Sequence, residues 1–247
     1  MKIIVFDMEG KFAHFRKYYT NSSSLTYSAP PRTTIEGLIG AILGYERDSY
    51  YEKLNQDNLK IGVRIISNNR RIMQSINYLK VTSQGQLIDP KEHTQIPFEI
   101  LTSDNNVRFR IYVALRDTKV LNELEQRLKN RVYVYPPYMG AAPFSCRLNY
   151  IDTIEGEKIE SKETLEISSL LKVKNICHKG IEIDFETVSL IKERMPVDFL
   201  KDRYARDVGS YIFCPRGGKI RAKLNSEAYE LKYLYKDEKI DENIVFM

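Results

Sequence analysis

Apolar residues near the start of the chain follow two rhythms. "MKIIVFDM" (1–8) is a nearly continuous apolar run of strand length. "KFAHFRKYY" (11–19) alternates, placing Phe12, His14, Arg16 and Tyr18 on one face and Ala13, Phe15, Lys17 and Tyr19 on the other. "NSSSLTYSAPP" (21–31) breaks the alternation and reads as a loop, since serines and a proline pair suit neither ladder. Thr33, with Glu36 three residues on, has the spacing of a capping box and predicts the helix "TIEGLIGAILG" (34–44), stopped at Gly44. Gly37, Gly40 and Gly44 weaken a helix, which predicts close packing against a sheet. "LKIGVRII" (59–66) alternates, and "VRFRIYVALR" (107–116) does so strictly, with Arg108, Arg110, Tyr112 and Arg116 opposite the apolar face. "TKVLNELEQRLKN" (118–130) carries a helical stripe at 120, 121, 124 and 128, and "RVYVYPP" (131–137) predicts a last strand ended by prolines. The order is β-α-β-β-α-β, which predicts an α+β fold: a ferredoxin-like or RRM-type domain over 1–150. A long insert, roughly residues 67–105, separates its second and third strands, where a hairpin needs only a few residues. The β-prone, acidic stretch 151–247 predicts a smaller C-terminal lobe.

Composition places the chain among globular proteins: 247 residues, 43% hydrophobic and 29% charged. "MKIIVFDMEG" lacks the pattern of a signal peptide, and "IEGLIGAILG" is far short of the roughly 20 residues a membrane span needs. Cys146, Cys177 and Cys214 lie more than 30 residues apart with no CxxC pair. The expectations are core thiols, no zinc site, no membrane partner and a reducing cytoplasm.

Charge alters the picture more. The net charge is +5, but residues 1–151 hold 21 Lys/Arg against 14 Asp/Glu, a balance of +7, while residues 152–247 hold 17 against 19, a balance of −2. Acids are absent from 10–35, 58–88, 105–116 and 126–151, each of which carries several cations. A solvated surface mixes signs, so these single-sign windows point to a polyanion partner.

The residues that carry a resemblance lie in the first window. "AHFRKYYTNSSSLTYSAPPRTTIEGLIGAILG" (13–44) closely resembles the N-terminal signature of the fifth CRISPR-associated (Cas) protein family, RAMP-superfamily subunits of type I Cascade complexes, and looks most like the I-B branch. The glycine-bearing "PPYMGAAPFSC" (136–146) extends the resemblance. It implies a ferredoxin-like domain with a protruding β-hairpin thumb, matching the insert at 67–105. It also implies a subunit that holds the 5′ handle of the CRISPR RNA (crRNA) at the foot of Cascade, beside the large subunit and the first backbone subunit. Target DNA is then met only indirectly, and no cofactor is expected. Most branches of the family leave cutting to another protein; one branch cuts precursor crRNA itself.

The residues suit a single RNA strand. Bases can stack on Tyr18, Tyr19, Tyr27 or Tyr138 while Arg16, Lys17 and Arg32 track phosphates, and Ser24 can bond a phosphate or 2′-hydroxyl. Arg32 stands at a predicted helix N-terminus, which favours an anion, although it can instead pair with Glu36. Gly140 would let backbone approach RNA closely, or only turn the chain. Tyr18 and Tyr19 can alternatively pack the sheet. In the insert, Arg70, Arg71 and Lys80 are expected on flanking phosphates, with Ile96, Pro97 and Phe98 as an apolar wedge. Arg108, Arg110 and Tyr112 occupy the RRM stacking position, but in RAMP-like proteins this face is often covered. His14 is expected to contact RNA.

The enzymatic alternative is a metal-independent endoribonuclease, for which His14, His93 and His178 are the candidate bases. No carboxylate or His/Cys cluster has metal spacing, so no metal site is expected. A third possibility is an assembly protein whose basic face meets an acidic subunit.

Overall fold

In a computed structural model of the chain, which describes residues 1–20, 23–160, 163–182, 189–200 and 203–247, the first apolar run forms β1 (Lys2–Ala13). Ile4, Phe6 and Met8 enter one apolar cluster, Ile3 and Val5 another. Burial on both faces explains why the run is continuous rather than alternating.

After β1 come α1 (Arg32–Leu43), β2 (Leu59–Ile65), β3 (Arg70–Leu79), the short α2 (Gln84–Ile88), β4 (His93–Leu115), α3 (Thr118–Asn130) and β5 (Arg147–Glu155). The sheet runs β2-β4-β1-β5 with every neighbouring pair antiparallel. Ile35, Ile39 and Ile42 of α1 and Leu121, Leu124 and Leu128 of α3 pack on the face bearing Phe6, Val63 and Phe109. The β-α-β-β-α-β order is therefore present, with one correction. "RVYVYPP" (131–137) is a loop, not a strand, and the fourth strand is β5. Val134 and Tyr135 donate their N–H groups to the carbonyls of Ile42 and Ala41, two of the last-turn acceptors that a helix leaves unsatisfied. Residue 150 falls inside β5.

Two local readings of α1 also change. Its N-cap is Pro31 with no side-chain cap, so the Thr33–Glu36 capping box is absent; Glu36 turns inward to Arg32. Gly37 and Gly40 face not a sheet but Tyr50: a Cβ on Gly40 would stand 3.1 Å from its ring, and one on Gly37 3.2 Å from its hydroxyl. Gly44 ends the helix in the left-handed region (φ 81°), as its sequence position predicts.

The insert is a hairpin. β3 pairs with the first half of β4 from Arg70↔Thr102 to Leu79↔His93, and none of its residues is buried. The helix α2 sits at the tip, equally unburied.

The C-terminal half adds β6 (Glu157–Ile159), β7 (Thr164–Ile167), β8 (Leu171–Lys172), β9 (Ile176–Glu182), β10 (Ile191–Phe199), β11 (Ala205–Phe213), β12 (Ile220–Leu224), β13 (Ala228–Tyr235) and β14 (Glu238–Ile244). They form a sheet β10-β11-β8 and a sheet β6-β13-β14-β7-β12-β9. The larger covers the helix-free face of the first sheet, packing Tyr229, Leu231, Tyr233 and Ile244 on Ile3, Val5, Tyr112 and Ala114. The smaller sends Met195, Val197, Tyr211 and Phe213 into the helix-side core. Of the cysteines, all free, Cys214 is buried while Cys146 and Cys177 are half-buried, so the core-thiol reading fits only the first. No described helix is long and apolar enough to cross a membrane.

Candidate nucleic-acid interface

The segment after β1 doubles back on itself. Arg16 bridges Thr26, and Tyr27 N–H donates to Phe15 O, giving a small ribbon. Ser24 N–H donates to Pro97 O and Ser24 O accepts from Glu99 N–H, which fastens the ribbon to the root of the hairpin. Burial in this ribbon does not alternate: Ala13, His14 and Phe15 are buried together, as are Ser24 and Tyr27, while Arg16, Tyr18 and Tyr19 are exposed.

Several residues expected to contact RNA are buried in the free chain. His14 places Nδ1 2.7 Å from Glu99 O, an acceptor, so Nδ1 carries the proton, and Nε2, 3.0 Å from Ser24 Oγ, accepts from that hydroxyl. Its ring stacks on Phe98 at 4.1 Å, and burial lowers its pKa below the usual histidine value. Both ring nitrogens and one ring face are thus engaged within the chain. Ser24 is spent on the same bond. Tyr27 donates its hydroxyl to Arg194 O (2.8 Å) from a site with no exposure.

Arg32 is likewise wholly buried. Nη1 meets Asp198 at 2.5 Å, Glu36 at 3.3 Å and Val197 O at 3.2 Å, while Nη2 donates to Leu54 O and Leu59 O. Burial pushes the Glu36 carboxyl up to about 8, against the pull of Arg32, leaving Arg32–Asp198 as the charged pair. This hub fastens α1 to β10. Gly140, at φ 82°, packs against the chain: a Cβ there would lie 2.2 Å from His14 O. Its left-handed conformation turns the 136–146 loop beneath the ribbon.

The hairpin residues divide as well. Phe98 is buried against His14, Ile96 is half-buried opposite Ile76 and Pro97 is exposed, so these three form no continuous wedge. The exposed apolar groups of the arm are instead Met73, Tyr78, Leu79, Val81, Leu87 and Ile88. Lys80 pairs with Glu92 at 2.9 Å, Arg70 with Asp104, and Arg71 with Glu193 at 2.7 Å. Lys17 stands 3.5 Å from the same Glu193. The RRM-type face is closed: Arg110 is buried in a forked bond to Asp7, and Tyr112 donates to Glu242 at 2.6 Å beneath the C-terminal sheet.

Four expected residues nevertheless converge. Arg16, Tyr18, Tyr138 and Gly140 line a groove of about 530 Å3 over the first turns of α1, with Thr33, Thr34 and Gly37 among its lining residues. Tyr50, Tyr51, Phe199 and Arg203 also line it; the sequence reading missed all four. Gly37 and Gly40, three apart on one helix face, were the signal that something large lies on α1, and it is Tyr50. Phe199 and Arg203 arrive from the far end of β10 with no local signal. Asp48 fixes this end of the groove by accepting from Tyr51 (2.5 Å) and Arg203 (2.9 Å), and both bonds hold its carboxyl below the usual range. The groove thus offers aromatic faces, two guanidinium groups, threonine hydroxyls and the positive end of a helix, and no carboxylate lines it among the described residues. That set suits an unstacked base with flanking phosphates. None of the three histidines lines it; His93 is on the hairpin and His178 on β9, both exposed. Among the described residues, no cluster could hold a metal ion.

The CRISPR-associated protein (Cas_Cas5) family matches residues 3–204. No curated protein sequence matches the chain. Among solved structures, a CRISPR protein from Archaeoglobus fulgidus is 13% identical, with 98% of this chain and 99% of that one covered at a TM-score of 0.53. A chain of the Type III-B Cmr-beta structure bound to cognate target RNA and AMPPnP is 10% identical, covering 90% and 86% at 0.52. A chain of a CRISPR RNA-guided surveillance complex is 12% identical, covering 90% and 92% at 0.49. Identities this low speak for the fold alone. The family match spans most of the sequence, and the chain belongs to the CRISPR-associated protein (Cas_Cas5) family.

Proposed function

We propose that this chain is the subunit of a type I CRISPR effector complex that grips the single-stranded 5′ handle of the crRNA, and that it does not cut RNA. The groove over α1 carries the reading: it gathers Arg16, Tyr18 and Tyr138 with Tyr50 and Arg203, with no carboxylate in the lining among the described residues, a donor and stacking set for one nucleotide strand. Family membership, and the fold shared with a chain of an RNA-bound CRISPR assembly, support an effector-complex role. The backbone and large subunits would be its protein partners, and target DNA would be met through the crRNA.

The non-catalytic half of the proposal rests on the histidines. His14 has no free nitrogen, and the other two lie on separate elements away from the groove. Cleavage without metal needs a base, an acid and a cation around one phosphate. The test is incubation of the purified protein with its repeat RNA in EDTA, alongside His93→Ala and His178→Ala. Intact RNA is expected throughout; site-specific cleavage leaving a 2′,3′-cyclic phosphate, lost in either variant, makes the protein a nuclease.

A further inference from the structure

Glu193, on β10, is nearly buried, yet it ends in donors drawn from two other parts of the chain, the ribbon segment and β3. Its Oε2 accepts from Ser28 N–H at 3.0 Å; its Oε1 accepts from Ser28 Oγ at 3.3 Å and from Arg71 Nη2 at 2.7 Å, with Lys17 Nζ 3.5 Å away. Arg71 also bonds Ser28 Oγ and stands 3.8 Å from Glu99. Two cations, a hydroxyl and a backbone N–H around one pair of oxygens are the donor set of a phosphodiester site, because the two non-bridging oxygens of a phosphate take the same charge-assisted bonds as a carboxylate. The seat is not sealed, since the Arg71 side chain remains 34% exposed. Lys17 follows Arg16 directly, so the seat and the groove flank the same ribbon.

We infer that Glu193 occupies, in the free chain, the place of an RNA phosphate: a strand seated in the groove continues over the ribbon, and its next phosphate displaces the Glu193 carboxylate from Lys17, Arg71 and Ser28. The inference rests on the RNA-binding role proposed above. It accounts for Lys17 and Arg71, two cations in acid-free stretches of sequence, being neutralised in the fold by a residue more than a hundred positions away. The carboxylate is a built-in competitor. A lone phosphate or a foreign polyanion must expel it, whereas a strand already held in the groove presents its phosphate at high local concentration.

The test is fluorescence anisotropy of the full-length chain with a labelled single-stranded RNA of about 12 nucleotides at roughly 0.1 M salt. Glu193→Gln keeps the side-chain size and an acceptor for Ser28 while removing the charge, and should bind roughly three- to tenfold more tightly than wild type, with the gain shrinking as salt rises. Adding Arg71→Gln to that variant should abolish the gain. Should Glu193→Gln melt below the assay temperature, Glu193→Asp serves instead, because the shorter acid withdraws from both cations and should also bind more tightly. Equal or weaker binding by the folded Glu193 variant, while Tyr18→Ala weakens wild type, overturns the inference and leaves the groove reading standing. Binding by Glu193→Gln where wild type shows none supports it. Absence of binding by every variant, with Tyr18→Ala also without effect on crRNA retention in the assembled complex, overturns both.

Discussion

Arg32 and Asp198 form a charged pair with almost no water around it, supported by the carbonyls of Leu54, Leu59 and Val197. Removing one partner leaves the other charge buried, so Asp198→Ala should cost about 3–5 kcal/mol in urea melts, enough to loosen the groove by freeing α1 from β10. Glu36 beside them gives a pH test. Its folded pKa, about 8, lies above the value of about 4.5 for an unperturbed glutamate, so the folded state holds the proton more tightly than the unfolded one. Its contribution is full below about pH 4.5 and is lost as pH rises towards 8. Glu36→Gln, which cannot ionise, should therefore gain on wild type between pH 5 and pH 8, by at most about 1.4 kcal/mol per unit; parallel melting curves across that range would refute it. In the groove, Tyr18 and Tyr138 are 45% and 47% exposed. Tyr18→Ala and Tyr138→Ala should each weaken crRNA retention by about 1–3 kcal/mol while barely moving the melting temperature. The sequence shows Tyr18 and Arg16 as candidates because alternation places them on one face. It leaves Arg32 with two readings, since Asp198 lies 166 residues away and only the fold brings it near.

At the scale of elements, β1, α1 and the hairpin arm were legible because each follows a local rule: a continuous apolar run, a glycine stop, an insert too long for a turn. The last strand was not. "RVYVYPP" has strand propensity, but the C-terminal carbonyls of α1 claim its N–H groups, while β5 pairs with β1 despite its polar composition. Tertiary hydrogen bonding outweighed propensity here. The hairpin arm buries almost nothing, so replacing residues 77–94 by Asn-Gly should change stability by less than about 0.5 kcal/mol; a larger loss would mean that the arm supports the core. Gly140 is the opposite case. Gly140→Ala drives a Cβ into His14 O and should destabilise by about 2–3 kcal/mol, measured by melting, as the loop beneath the ribbon is forced away.

Across the whole molecule, charge windows that look uncompensated in sequence are largely compensated in space. Glu193 meets Lys17 and Arg71, Glu242 meets Arg64, Asp7 meets Arg110 and Asp198 meets Arg32. Partners more than a hundred residues apart leave no trace in a local window, which is why the basic segments overstated the free positive surface. With so many cations paired, the isolated chain should bind RNA weakly at physiological salt, and gel-shift titration of the monomer would contradict this by showing tight, handle-specific binding. The central claim, that the groove over α1 seats the crRNA handle, is tested most directly by photocrosslinking. The assembled complex would carry crRNA with 4-thiouridine at successive handle positions, and the crosslinked peptides would be read by mass spectrometry. Adducts on the peptides bearing Tyr18, Tyr50 and Tyr138 are predicted, reduced in Tyr18→Ala; adducts confined to the β9 face or the hairpin tip, or none on this chain, would contradict it.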